Sequence, residues 1–305
     1  MTRRGRELYY DDKPYKSVGI NAFGMAGCET GRAYTQTQMD SYFSSLRPRA
    51  LTRAWAFQAQ GIAGVERMVR SAEAHSQFLI LSLADGRGYC AEEDGRVADE
   101  GSGKRASWYA DGYKARYLPW LEMVVTRFKD SPAIALWELV NEPGGDGTTD
   151  QAMRRFFDAA AARIKAIDKN HLVMSGSQAE YVAGTGDFAF VHAGPDIDAA
   201  SLHEYDYDDS NGRIVSQHLR PVLNAMKSLD KPLLITEVGI RAAASGDCRD
   251  YSARRNAFKQ KFDAYMPQDG VAAVLVWSWV PRQRSGCVYE VSNNDPLMEL
   301  LSSYP

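Results

Sequence analysis

Eight short apolar runs punctuate this chain, near residues 17–21, 50–54, 78–83, 133–141, 171–175, 200–205, 233–237 and 272–279. Runs such as IALWELV and VAAVLVW show no polar alternation, the pattern of strands buried on both faces. Between them the spacing turns helical. Met153, Phe156, Phe157, Ala160, Ile164 and Ile167 fall on one face of a helix, and Thr148 with Gln151 reads as a capping box at its start. Leu219, Val222, Leu223, Met226 and Leu229 form a second stripe, and Phe258, Phe262 and Tyr265 a third.

Strand and helix therefore alternate, which predicts right-handed βαβ units and a parallel sheet. Eight such units in 305 residues predict an α/β fold, a single (β/α)8 TIM barrel spanning 1–305 with its active site at the C-terminal face. The competing arrangement is an open doubly wound sheet, which carries a glycine-rich phosphate turn after its first strand. The corresponding turn here, NAFGMAGCETG, has no GxGxxG pattern. The irregular stretch 85–107 follows the third strand and is expected to rise over the C-terminal face. With the stretch 178–198 it decides whether a cleft there is open or blocked.

Bulk properties narrow the function. A net charge of −3 and a pI near 6.0 give no electrostatic case for nucleic acid or an anionic membrane. No apolar run is long enough to span a bilayer. The start, MTRRGRELYYDD, has basic residues without an apolar stretch after them, so no signal peptide is legible. A mature or trimmed chain reads the same way. The cysteines, Cys28, Cys90, Cys248 and Cys287, lack CxxC pairing, which argues against zinc. They fit two disulfides in any of three pairings, or four reduced thiols.

The candidate chemistry lies in how the runs end. The first ends at Asn21 and the second carries Arg53. The fourth ends in Asn141 and Glu142, and the sixth in His203 and Tyr205. The seventh ends in Glu237, and the eighth in Trp277 and Trp279. In a barrel these endings converge on one face. Two glutamates there match a retaining glycosidase, whose carboxyl groups stand about 5–5.5 Å apart. One must be protonated to donate to the leaving oxygen, and the other ionised to attack the sugar carbon. Arg53 and Tyr205 are expected to favour charged Glu237, and Glu142 to keep its proton beside that charge. Asn141 offers an amide to a sugar hydroxyl, and Trp277 a flat apolar face to a pyranose. Glu138 reads as a buried structural acid paired with an arginine. Partnering that acid is the plain alternative role for Arg53. Histidines with metal-ligand spacing are absent, so no metal or cofactor is expected.

At these residues the sequence resembles glycoside hydrolase family 5, in the clan A retaining (β/α)8 superfamily of cellulases and β-mannanases. RAWAF, NEP, HEY, TEVG and VWSW carry the resemblance in the family's order. It implies Glu142 as general acid/base and Glu237 as nucleophile, with Arg53, Asn141, His203, Tyr205 and Trp277 binding substrate. It also implies an enzyme acting on β-mannan or β-glucan, with a carbohydrate as its only partner; a monomer is expected, and two disulfides would fit a secreted or extracytoplasmic enzyme. SLADGRG departs from the family, because many of its cellulases place a histidine where Asp85 stands. On the implied barrel the expected disulfides are Cys248–Cys287, between loops 7 and 8, and Cys28–Cys90. Three other readings remain at this point: an exo-glycosidase or transglycosylase on the same residues, a carbohydrate-binding barrel without turnover, and a metal-dependent barrel hydrolase.

Overall fold

The structure, a computed structural model, describes residues 1–28, 32–88, 90, 104–145, 147–178, 187–209 and 212–305. The expectation for 85–107 falls largely outside the described residues, and that for 178–198 does so at 179–186.

The barrel strands are β1 (Ser17–Asn21), β2 (Leu51–Trp55), β3 (Phe78–Ser82), β4 (Ile134–Glu138), β5 (Leu172–Met174), β6 (Ala200–Glu204), β7 (Leu233–Gly239) and β8 (Val271–Trp277). They pair in the order β5-β4-β3-β2-β1-β8-β7-β6, parallel at every step. A single bridge between Met174 and Ala199 closes the remaining seam. The fold is the (β/α)8 barrel, and each strand matches one apolar run. Alternation within the strands builds two cores. Leu51, Ile80, Leu136, Leu172, Leu234 and Leu275 point inward and pack on each other. Their neighbours, such as Leu79, Leu81 and Val274, pack outward against the helices.

Two local expectations are corrected. The helix Asp150–Ile167 is capped by Thr149, whose hydroxyl accepts the Ala152 N–H at 3.2 Å. Thr148 lies one residue earlier, in a turn closed by its own N–H to Gly145 O at 3.0 Å. The fourth run pairs as a strand only to Glu138. Beyond it the chain bends, and Asn141 makes an isolated bridge to Asp85. The sequence reading also passed over a small antiparallel sheet, Thr2–Arg4, Glu7–Tyr10 and Lys13–Tyr15. Its strands are too short to show a period. Tyr10 and Tyr15 set their rings edge-on to Phe78 at 4.9 and 5.7 Å, and Leu8 joins the inner core, so this sheet plugs the N-terminal end of the barrel.

Candidate active site

The C-terminal ends of the strands bring Asn21, Arg53, Glu138, Asn141, Glu142, His203, Tyr205 and Glu237 into one hydrogen-bonded array. Arg53 is its hub and is fully buried. Its Nε and Nη2 donate to the two oxygens of Glu138 at 2.8 and 2.6 Å. Nη1 donates to Glu237 Oε1 at 2.7 Å and to Asn21 Oδ1 at 3.0 Å, and Nη2 also reaches Asn141 Oδ1 at 2.7 Å. Arg53 thus serves both the buried acid and Glu237. Burial opposes its charge, but Glu138 and Glu237 hold its proton well above the ordinary value.

Backbone geometry aims the two glutamates. Ile235 pairs with Leu202, and Glu237, two residues on, pairs with His203, so Thr236 is an extra residue in β7. This β-bulge reverses the strand's alternation. Leu234 faces the inner core and Ile235 the helices, so plain alternation would turn Glu237 outward. The bulge turns it inward instead. Glu142 follows the bend after β4 at φ 47°, a left-handed conformation that costs a non-glycine residue about 1 kcal/mol or more. Glycines hold it there on both sides. A Cβ on Gly86 would lie 2.3 Å from Glu142 O, and one on Gly176 would lie 1.9 Å from Val140 O.

One oxygen of each glutamate and a ring nitrogen of His203 lie within 4.8 Å of one another. His203 Nδ1 is 2.8 Å from Glu142 Oε1 and 3.4 Å from Glu237 Oε1. Tyr205 donates to Glu237 Oε2 at 2.6 Å. Burial, and then Glu237, push the phenol well above its ordinary value, so it stays a donor. This cluster is the arrangement most able to hold a cation among the described residues. The Arg53 and Arg87 guanidinium groups, 2.7 and 3.0 Å from its carboxylates, oppose one.

Arg87 and Gln178 were missed in the sequence. Arg87 Nε donates to Glu142 Oε2 at 3.0 Å, and Nη2 donates to Gln178 Oε1. The expected order of the glutamates is reversed. Burial would raise Glu142, but the His203 hydrogen bond and the charges of His203, Arg87 and Arg53 outweigh it and hold the carboxyl below its ordinary value. Burial pushes Glu237 up against the pull of His203 and Arg53, and Glu142 adds to the push. The physical reason is that Glu138 takes two of the Arg53 hydrogen bonds, so Glu237 has only a share of that charge.

The remaining expected positions are filled as follows. Asn141 is buried, with Nδ2 donating to Asp85 Oδ1 at 3.1 Å. Asp85 therefore anchors Asn141 and loop 3. Trp277 is partly exposed and stacks on Phe23 at 4.7 Å, beside Trp55 at 5.8 Å. Trp279 is buried, and its Nε1 donates to Asn293. Cys28–Cys90 and Cys248–Cys287 are disulfides, as expected.

With this geometry established, comparison with known proteins is decisive on one point. The profile of Cellulase (glycosyl hydrolase family 5) matches residues 16–283. The chain belongs to glycosyl hydrolase family 5. Among its relatives is a probable mannan endo-1,4-beta-mannosidase F of Aspergillus flavus, 27% identical over 241 residues, which are 74% of this chain and 50% of that protein. A mannan endo-1,4-beta-mannosidase A of Emericella nidulans is 28% identical over 234 residues, 74% of this chain and 58% of that protein. The chain thus spans about half the length of the first of these relatives. The endo-1,4-beta-mannanase of Rhizomucor miehei has the same fold, with a TM-score of 0.76 at 19% identity over 98% of this chain and 96% of that one.

Proposed function

We propose that this family 5 barrel is a retaining endo-acting β-glycoside hydrolase whose substrate is a β-linked mannan. Glu237 attacks the anomeric carbon while Glu142 gives a proton to the departing oxygen. Glu142 then takes a proton from water as that water frees the sugar from Glu237. The observation that carries this reading is the approach of one oxygen of Glu142 to one oxygen of Glu237 within 4.8 Å, which suits the closely set carboxyl pair of a retaining enzyme better than the roughly 6.5–9.5 Å separation of an inverting one. Mannan is preferred to glucan because the relatives described above bear mannan endo-1,4-beta-mannosidase names. Arg53 and Tyr205 orient the nucleophile, His203 orients the acid, Asn141 offers an N–H to a sugar hydroxyl, and Trp277 gives the ring a surface. No metal takes part in this scheme. Two disulfides and a sugar-polymer substrate favour a location outside the cytoplasm.

The test is incubation with β-mannan, β-glucan and xylan, with products sized and their new anomeric centres followed by NMR. Mixed mannan oligosaccharides of retained β configuration are expected, unaffected by a chelator and abolished in Glu237→Ala. Inverted products, monosaccharide alone, or near-full turnover by Glu237→Ala would overturn the proposal.

A further inference from the structure

Neither oxygen of Glu142 is free. Oε1 is held by His203 Nδ1 at 2.8 Å and Oε2 by Arg87 Nε at 3.0 Å. His203 is completely buried and cannot withdraw, so Oε2 is the oxygen that must deliver the proton. A guanidinium N–H points at that oxygen and has no acceptor role. While it stays there, Oε2 can neither carry an outward proton nor meet a glycosidic oxygen.

Arg87 is built to leave. Its side chain is 47% exposed. Its backbone is pinned, with the Arg87 N–H on Asp85 Oδ1 at 3.0 Å and the Gly86 N–H on Asn141 O at 2.8 Å. Three residues further on, Cys90 is tied to Cys28. Only the side chain is therefore free to swing. Its second contact, Gln178, comes from the loop after β5, so Arg87 and Gln178 form a strap across the mouth of the site at Glu142. The wall of Phe23, Trp55, Phe57 and Trp277 comes from the loops and strands around β1, β2 and β8 instead.

We propose that Arg87 is a positioning residue that latches Glu142 as a carboxylate in the free enzyme and is displaced from Oε2 by the sugar on the leaving-group side. The proposal rests on the acid role given to Glu142 above. Once Oε2 is released, Glu142 takes a proton from solvent and passes it to the departing oxygen. When the leaving sugar has gone, Arg87 returns and favours the carboxylate that must accept a proton from the incoming water. Among the described residues the other charged or titratable groups facing Glu142 are Arg53, His203, Tyr205 and Glu237. All are buried to within a few per cent or fixed by the array, which leaves Arg87 as the one that moves.

The test compares the enzyme with Arg87→Met and Arg87→Lys. The kcat/KM–pH profile is measured on mannopentaose and on 2,4-dinitrophenyl β-mannobioside, whose leaving group needs no proton. In parallel, the Glu142 carboxyl is titrated by carbon-13 NMR in the free proteins. In Arg87→Met the carboxyl should titrate at higher pH, and kcat/KM for mannopentaose at the alkaline edge should rise roughly threefold or more relative to its plateau. Arg87→Lys should restore the original profile, and the activated substrate should show no such change. An unchanged Glu142 titration in Arg87→Met overturns the latch. So does an alkaline shift of equal size on both substrates. If the wild-type enzyme cleaves neither substrate, the hydrolase reading fails while the carboxyl titration still decides the latch.

Discussion

Replacing Arg53 with methionine separates its two roles. The side chain is fully buried, and so is Glu138, which accepts two of its hydrogen bonds. Removing the guanidinium strands a buried carboxylate with no cation, a change that costs about 3–5 kcal/mol. Glu237, Asn21 and Asn141 each lose a bond as well. Against a total stability of about 5–15 kcal/mol the variant remains folded but weakened. With a urea slope near 3 kcal/mol per molar, the midpoint should fall by about 1–1.7 M. The double variant Arg53→Met/Glu138→Leu exchanges the buried pair for apolar side chains of similar size and should regain most of that loss. It should not regain turnover, because Glu237 still lacks its cation. A loss of roughly 10²–10³ in kcat is expected for a charged donor to a reacting group. Urea unfolding by near-ultraviolet circular dichroism, beside turnover on mannan, reads both effects. Recovery of activity together with stability would refute the link from Arg53 to Glu237 and leave it as the partner of Glu138. A single variant within about 1 kcal/mol of wild type would refute the burial argument itself.

Two further outcomes concern stability alone. His192 is fully buried between Ser175, Ser177 and the Phe188 ring, and burial pushes it down to about 4. Its stabilising effect is complete above the unfolded value near 6.5 and is lost as pH falls towards 4, up to about 3 kcal/mol, so His192→Gln should flatten that part of a pH–stability curve; an unchanged slope contradicts it. The Cys248–Cys287 link spans 39 residues, so Cys248→Ser/Cys287→Ser should lower unfolding free energy by about 4 kcal/mol at most; a midpoint that does not move shows that the link does not restrain the unfolded chain.

What could be read from the sequence was whatever follows from burial. Strands covered on both faces must be continuous apolar runs, and each run here became one barrel strand. Their polar endings had to gather at one end because parallel strands all point the same way. Glu138 was legible for the same reason, since an acid inside such a run needs a cation, and Arg53 supplies it. What escaped depends on contacts between loops or on single-residue irregularities. The Arg87–Glu142 pair joins two loops distant in sequence, and nothing in SLADGRG shows that Gly86 lies against Glu142 O. The bulge at Thr236 leaves no mark in LLITEVG, although it decides which way Glu237 faces.

The charges in the array explain why the expected order of the two glutamates failed and how it can be regained. Three carboxylates, Glu138, Glu142 and Glu237, are bonded directly to two guanidinium groups, Arg53 and Arg87. Among the described residues Glu142 has both His203 and Arg87 beside it, and the His203 hydrogen bond and the charges of the two hold its carboxyl down. Glu237 shares Arg53 with Glu138 and therefore binds a proton more readily. With Arg87 gone, the three carboxylates face only Arg53 and His203 among the described residues, and the repulsion between Glu142 and Glu237 favours a proton on one of them. Glu138 keeps two hydrogen bonds to Arg53, and Glu237 keeps Arg53 and Tyr205. Glu142 keeps only His203, at one oxygen. On release of Arg87 the proton is expected at Oε2 of Glu142, the one oxygen of the three carboxylates then left without a donor among the described residues. The same displacement that opens the path to the glycosidic oxygen supplies the order of protonation that double displacement requires.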